Sequence, residues 1–179
     1  DLFALVWDAE SKQLYGLNAS GRSPQSLSLD YFKENGHKKI PSFGALPVSV
    51  PGAVDGWFML HDRFGSVPMS AVLAPAITYA REGFPVSEVI AYYFEMNKAR
   101  IGHYPGFADV FMPNGDVPKK GEVFTNPNLA ATYEKIATGG RDVFYKGDFA
   151  RTIVAYIKDQ GGFVSYAVLS AHSSTWVEP

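Results

Sequence analysis

The chain of 179 residues contains no cysteine. That absence excludes disulfides, thiolate metal sites and a cysteine nucleophile, and it leaves the redox compartment undecided. Histidine is scarce. His37, His61, His103 and His172 stand far apart, without HxxxH or HxH spacing, so each is expected to be structural and no metal site is expected. No apolar run approaches the roughly 18 residues that a membrane span requires. Excess basic charge is also lacking: 16 Lys and Arg against 18 Asp and Glu leave a net charge of −2. A field for nucleic acid or an anionic membrane is therefore missing. No glycine-rich loop follows a strand at nucleotide-binding spacing, so no cofactor is expected. Ser20 is no nucleophile elbow, because Asn18 and Arg22 stand where that motif needs glycines.

What remains is globular composition, with 46% hydrophobic and 19% charged residues. Asp1 opens directly onto an apolar run and the chain stops at Trp176-Val177-Glu178-Pro179, which suggests an internal piece of a longer protein. Leu2–Trp7 and Gln13–Leu17 read as two strands joined by a polar hairpin loop. The first is apolar at nearly every position, the pattern of a strand covered on both faces, so a missing neighbour is expected. Residues 29–36 suggest a short helix capped by Ser28, and Gly44–Val50, with Pro47 inside it, an edge strand.

From Pro51 the pattern turns helical. Apolar residues at helical spacing predict helices over about 51–64, 68–81, 87–100, 127–138 and 148–160, with Pro75 expected to break or kink the second. Residues 102–122, rich in Gly and Pro, read as one long loop. The plan is a β-rich piece at 1–50 followed by a mainly helical 51–179, an α+β chain. Its polar chemistry gathers in the turn Leu17-Asn18-Ala19-Ser20-Gly21-Arg22-Ser23-Pro24. A guanidinium fixed at a strand end can clamp a carboxylate bidentately; an exposed loop arginine or a structural ion pair is the plainer reading of the same spacing. The aromatic pairs Trp57-Phe58 and Tyr92-Tyr93-Phe94 fit core packing.

Four segments then carry a resemblance. Val50-Pro51-Gly52-Ala53-Val54-Asp55-Gly56-Trp57, Leu73-Ala74-Pro75-Ala76-Ile77, Tyr79-Ala80-Arg81-Glu82-Gly83-Phe84 and Phe144-Tyr145-Lys146-Gly147 stand in this order, followed by Gln160-Gly161-Gly162 and a short helix. Together they resemble the γ-glutamyltransferase family across essentially the whole chain. The resemblance implies an N-terminal-nucleophile hydrolase with a four-layer αββα core, made as a precursor that cleaves itself into large and small subunits. Such an enzyme moves the γ-glutamyl group of glutathione or a related amide to an amino acid or water, through an acyl-enzyme on the small-subunit Thr. This chain resembles an interior part of the large subunit, lacks that Thr, and is expected to be inactive alone, with the small subunit as its partner.

In the family the hairpin ends in D-F-R-E-x-A-P, whose Arg holds the substrate carboxylate. Aligned on Pro24, Asn18 falls on the Asp and Ser20 on the Arg, with Arg22 two places later. Asn18, Ser20 and Arg22 are therefore the expected substrate-binding residues, and no catalytic residue is expected. Ala167-Val168 stands where the family usually has two acidic residues. Relatives that act as cephalosporin (glutaryl) acylases have turns of the same shape, so a related amidase is one alternative and a non-catalytic helical interaction domain is another. Export, common in the family, and a cytoplasmic location fit the sequence equally.

Overall fold

The computed structural model describes all residues, 1–179. β1 (Leu2–Asp8) and β2 (Gln13–Ala19) form an antiparallel hairpin, Leu2 opposite Ala19 and Trp7 opposite Leu14. A third strand, β5 (Thr175–Val177), pairs antiparallel with β2 and completes the sheet order β1-β2-β5. The helices are α1 (Leu29–Glu34), α2 (Ala53–Phe64), α3 (Met69–Glu82), α4 (Glu88–Ile101) and α5 (Phe107–Phe111), then α6 (Pro127–Gly139), α7 (Arg141–Tyr145), α8 (Asp148–Asp159) and α9 (Tyr166–Ser170). Strands β3 (Phe84–Pro85) and β4 (Val123–Phe124) form a short separate ribbon. The α+β class read from the sequence is what the chain adopts.

The chain divides into two compact units, residues 1–67 with 139–179, and residues 68–138. A boundary at residue 50 follows the change from strand to helix along the chain, whereas the contacts group both ends because β5 returns to the hairpin. In the first unit, α2 lies against the inner sheet face. Its Gly56 comes so close that an added Cβ would stand 2.6 Å from the Ala19 Cβ. Leu17, Ala19, Val54, Tyr145, Ala150 and Leu169 are buried here. The second unit buries Met69, Leu73, Val86, Val117 and Phe124, and the Phe124 ring meets those of Phe94 and Phe111 at 5.9 and 5.8 Å.

Several sequence expectations change. Phe3, Leu5 and Trp7 point outward and are exposed, so within this chain β1 is covered on one face only. Residues 44–50 form no strand: Pro47 offers no N–H, and the one link to the hairpin side is the Val50 N–H donating to the Arg22 carbonyl at 3.0 Å. α3 continues through Pro75 without a break: the ring is exposed, and the missing N–H removes only one hydrogen bond from a 14-residue run. The long loop contains α5, whose Phe111 ring stacks on Phe124 at 5.8 Å. Helix α7 and the strands β3, β4 and β5 are too short for periodicity to reveal.

Candidate functional site

The turn after β2 is held through its own backbone groups, which meet one carboxylate, one side-chain amide and a neighbouring backbone. The Gly21 N–H donates to the Asp1 carboxylate at 2.6 Å, and the Arg22 carbonyl accepts from Val50. A Cβ on Gly21 would collide with the Val50 carbonyl oxygen, and one on Gly52 with the Ala19 carbonyl oxygen. Glycine is therefore required at both positions by close approach of two backbones, which locks the turn onto the start of α2.

Beside this turn lies a cleft of about 600 Å³, within the usual range of small-molecule sites. Arg22, Ser23 and Gln25 line it from the turn, and Ala167, Val168 and Ala171 from α9 and its end. His172, Ser173 and Thr175 complete the wall. Arg22 is exposed and makes neither an ion pair nor a hydrogen bond through its guanidinium, so its five donors are free. That arrangement suits a carboxylate on one side and an aliphatic chain along Val50 and the α9 wall.

Behind the cleft sits a buried polar network. The Asp55 carboxylate accepts from Arg141 Nε and, at 2.6 Å, from the Ser174 backbone N–H. Arg141 also donates through a terminal nitrogen to the His172 carbonyl, and its guanidinium carbon lies 4.5 Å from the centre of the Tyr145 ring. The Tyr145 hydroxyl accepts from the Asp55 N–H at 3.0 Å and donates to the Pro51 carbonyl at 2.6 Å. The network thus fixes residues 172–174, the cleft wall facing Arg22, to the start of α2 and to α7. His172 Nε2 and Ser174 Oγ are buried without a hydrogen-bond partner.

Charge states follow from these contacts. Burial pushes the Asp55 carboxyl up, but the Ser174 dipoles and the Arg141 hydrogen bond and charge outweigh it and hold it below the usual range. Burial, against the lowering effect of its hydrogen bond with Asp55, pushes the Tyr145 phenol up to about 12. Burial lowers His172; Asp55 opposes this, and the positive charges of Arg141 and Arg22 add to it, so the imidazole is neutral at pH 7.

Of the three expected site residues, Arg22 lines the cleft, while Asn18 and Ser20 lie outside its lining. The Asn18 side-chain oxygen accepts from the Ser20 N–H at 3.0 Å and shapes the turn. Asn18 also stands opposite Thr175 of β5 and Phe3 of β1, so the outer sheet face runs up to the cleft edge. The roles of Asp55, Arg141, Tyr145, His172 and Ser174 escaped sequence reasoning. Asp55 and Tyr145 lay inside quoted motifs, but their partners are 86 to 119 residues away, beyond any local spacing.

The family model described as Gamma-glutamyltranspeptidase matches residues 1–179. The chain is 35% identical over 180 residues to the glutathione hydrolase-like YwrD proenzyme of Bacillus subtilis, covering 100% of this chain and 34% of that protein. Among solved structures, cephalosporin acylase from Bacillus halodurans superposes with a TM-score of 0.93 at 38% identity, over 99% of this chain and 34% of the other. Gamma-glutamyltranspeptidase from Pseudomonas nitroreducens, complexed with L-DON, superposes with a TM-score of 0.88 at 33% identity, over 99% of this chain and 52% of the other. The chain thus spans about a third of the length of the curated relative it matches. By the match over its full length, this chain belongs to the γ-glutamyltranspeptidase family, a family of enzymes.

Proposed function

We propose that this chain is an interior part of the large subunit of an N-terminal-nucleophile hydrolase and forms one side of its acyl-donor site. The complete enzyme takes the γ-glutamyl group of glutathione or a related amide and passes it to an amino acid or water. A threonine hydroxyl, freed at the N-terminus of the small subunit by self-cleavage and activated by its own α-amine, attacks the amide carbon and expels the amine. Arg22 anchors the carboxylate of the acyl group, and Asn18 and Ser20 form the turn that delivers it. The observation that carries this reading is the unpaired Arg22 guanidinium on a cleft of about 600 Å³.

The outer sheet face supports the partner assignment. Phe3 and Leu5 are each 70% exposed and Trp7 61%, and Leu14 and Val177 extend the patch across the sheet. A contiguous apolar patch of this kind marks an interaction surface. We assign it to the rest of the αββα core, in which residues 1–50 supply the hairpin and 51–179 the helical cover together with β5. A second acyl specificity, for glutaryl amides, is favoured by the likeness to a cephalosporin acylase at 38% identity.

The test is kinetic, on the full-length enzyme, with γ-glutamyl-p-nitroanilide and a glutaryl amide. Loss of a charge-assisted pair costs about 2 kcal/mol, so Arg22→Ala is expected to raise KM roughly 30-fold for the better substrate. An unchanged KM removes Arg22 from the site, and the substrate with the larger kcat/KM decides between the two specificities.

A further inference from the structure

We propose that His172 is a second anion-recognising residue of the Arg22 cleft, and that a carboxylate held there draws a proton onto its imidazole at mildly acidic pH. The inference rests on the reading of this cleft as the carboxylate site and adds to it a residue and a linked proton.

His172 is buried, 6% exposed, and is one of the residues that line the cleft. The ring is held in place: it stacks on Tyr145 at 5.6 Å with planes 22° apart, and its own carbonyl is gripped by Arg141. Nε2 is buried and has no hydrogen-bond partner, a condition that carries a free-energy cost and calls for a functional reason.

The charged and titratable groups around it are four. Asp55 of α2 favours the imidazolium, Arg141 of α7 and Arg22 of the turn oppose it, and the Tyr145 phenol stays protonated. Helix α9, on which the residue leans, brings no charged side chain. In the free protein, burial, with the two cations adding to it against the one carboxylate, keeps the imidazole neutral. A carboxylate bound to Arg22 cancels part of that cation's field and places a negative charge beside the ring. The imidazolium then becomes the favoured form, so binding and protonation reinforce each other.

The sign follows from linkage. A group whose pKa is higher in the complex than in the free protein makes affinity rise as pH falls from the first value to the second. The linkage is expected to make binding up to ~10-fold tighter at the acidic end. Arginine alone, charged at every relevant pH, gives no such dependence. Val50, Ala167, Val168 and Ala171 give the lining an apolar side beside its serines, Gln25 and Thr175, which suits a carboxylate carried on a short aliphatic chain.

The experiment is calorimetric titration of the full-length protein with L-glutamate at pH 5.5 to 7.5, in two buffers of different ionisation enthalpy. Wild type is expected to take up a fraction of a proton at the acidic end of this range and to bind more tightly there. His172→Gln is expected to lose the proton uptake and the pH dependence while still binding. Arg22→Ala is expected to bind weakly at every pH. If His172→Gln retains the proton uptake, the inference about His172 fails and the carboxylate site stands; if Arg22→Ala binds like wild type, the carboxylate site itself fails. Should His172→Gln not fold, histidine 13C NMR of the wild type decides: glutamate must raise the pKa of one low-titrating imidazole, and no change overturns the proposal.

Discussion

Removing Arg141 tests whether the buried network fixes the cleft wall. The Asp55 side chain is 3% exposed and that of Arg141 25%. Breaking a buried pair by deleting one partner costs about 3–5 kcal/mol, because the other charge stays desolvated. Arg141 is a quarter exposed and also bonds the exposed Asp142 at 3.0 Å, so the low end of that range applies. Arg141→Met leaves the Asp55 carboxylate with only the Ser174 N–H, and the His172 carbonyl without its donor. About 3 kcal/mol lost locally makes amide exchange over residues 166–179 roughly 10²-fold faster, which hydrogen exchange with mass spectrometry on the full-length protein reads directly. Asp55→Ala is expected to act similarly, and the double variant to cost about 2 kcal/mol less than the sum of the singles. The pH sign is fixed as well. Asp55 is held below 3.8 in the folded chain, so its contribution is present above 3.8 and is lost as pH falls through the lower folded value. Exchange in wild type should therefore quicken across that window, and in Asp55→Ala it should not. Additive single variants, or an effect below ten-fold for Arg141→Met, would refute the account.

Tyr145 gives the opposite pH sign. Its phenol is raised to about 12 from an ordinary 10, so its stabilisation is present below pH 10 and falls away between 10 and 12, by about 2–3 kcal/mol. Tyr145→Phe should abolish that alkaline loss while costing about 1–3 kcal/mol at neutral pH, since the Asp55 N–H and Pro51 carbonyl lose their partner; thermal melts at pH 7 and pH 11 check both. Gly21→Ala drives a Cβ into the Val50 carbonyl and should cost about 1–3 kcal/mol or more, with KM raised in step because the turn carries Arg22. A KM unchanged in a folded Gly21→Ala protein would separate the turn from substrate binding.

Much of the fold was legible because its signals are local. Ser28 caps α1 through its side-chain oxygen at the position the sequence indicates, and Ser87, read there as the first helical residue, and Asn126 cap α4 and α6 in the same way. The hairpin register follows from its short polar loop. Arg22 was legible as a cation at a strand end, but its freedom from an ion pair was not, since that depends on what every other carboxylate does. His172 was legible only as an isolated histidine. Its burial, its stack on Tyr145 and its place on the cleft arise because β5 returns to β2, and a three-residue strand leaves almost no periodic trace.

The residue pattern of β1 describes an environment that the chain does not itself supply. A half-covered antiparallel strand ordinarily alternates apolar and polar residues, yet here the outward positions are Phe3, Leu5 and Trp7. The cross-strand register continues this row, with Leu14 opposite Trp7 and Val177 reached through Gly16 opposite Leu5. Covering three such side chains is worth roughly 1.5–3 kcal/mol each, comparable to the whole net stability of a domain. Apolar residues on that scale are retained where a second layer repays them. At its far end the same face presents Asn18 and Thr175, and Thr175 lines the cleft. A layer packed on the apolar row therefore ends beside Arg22 and His172, where the proposed small subunit would place its nucleophile. On the proposed reading the exposed sheet face and the cleft belong to one interface: packing on the first would complete the second.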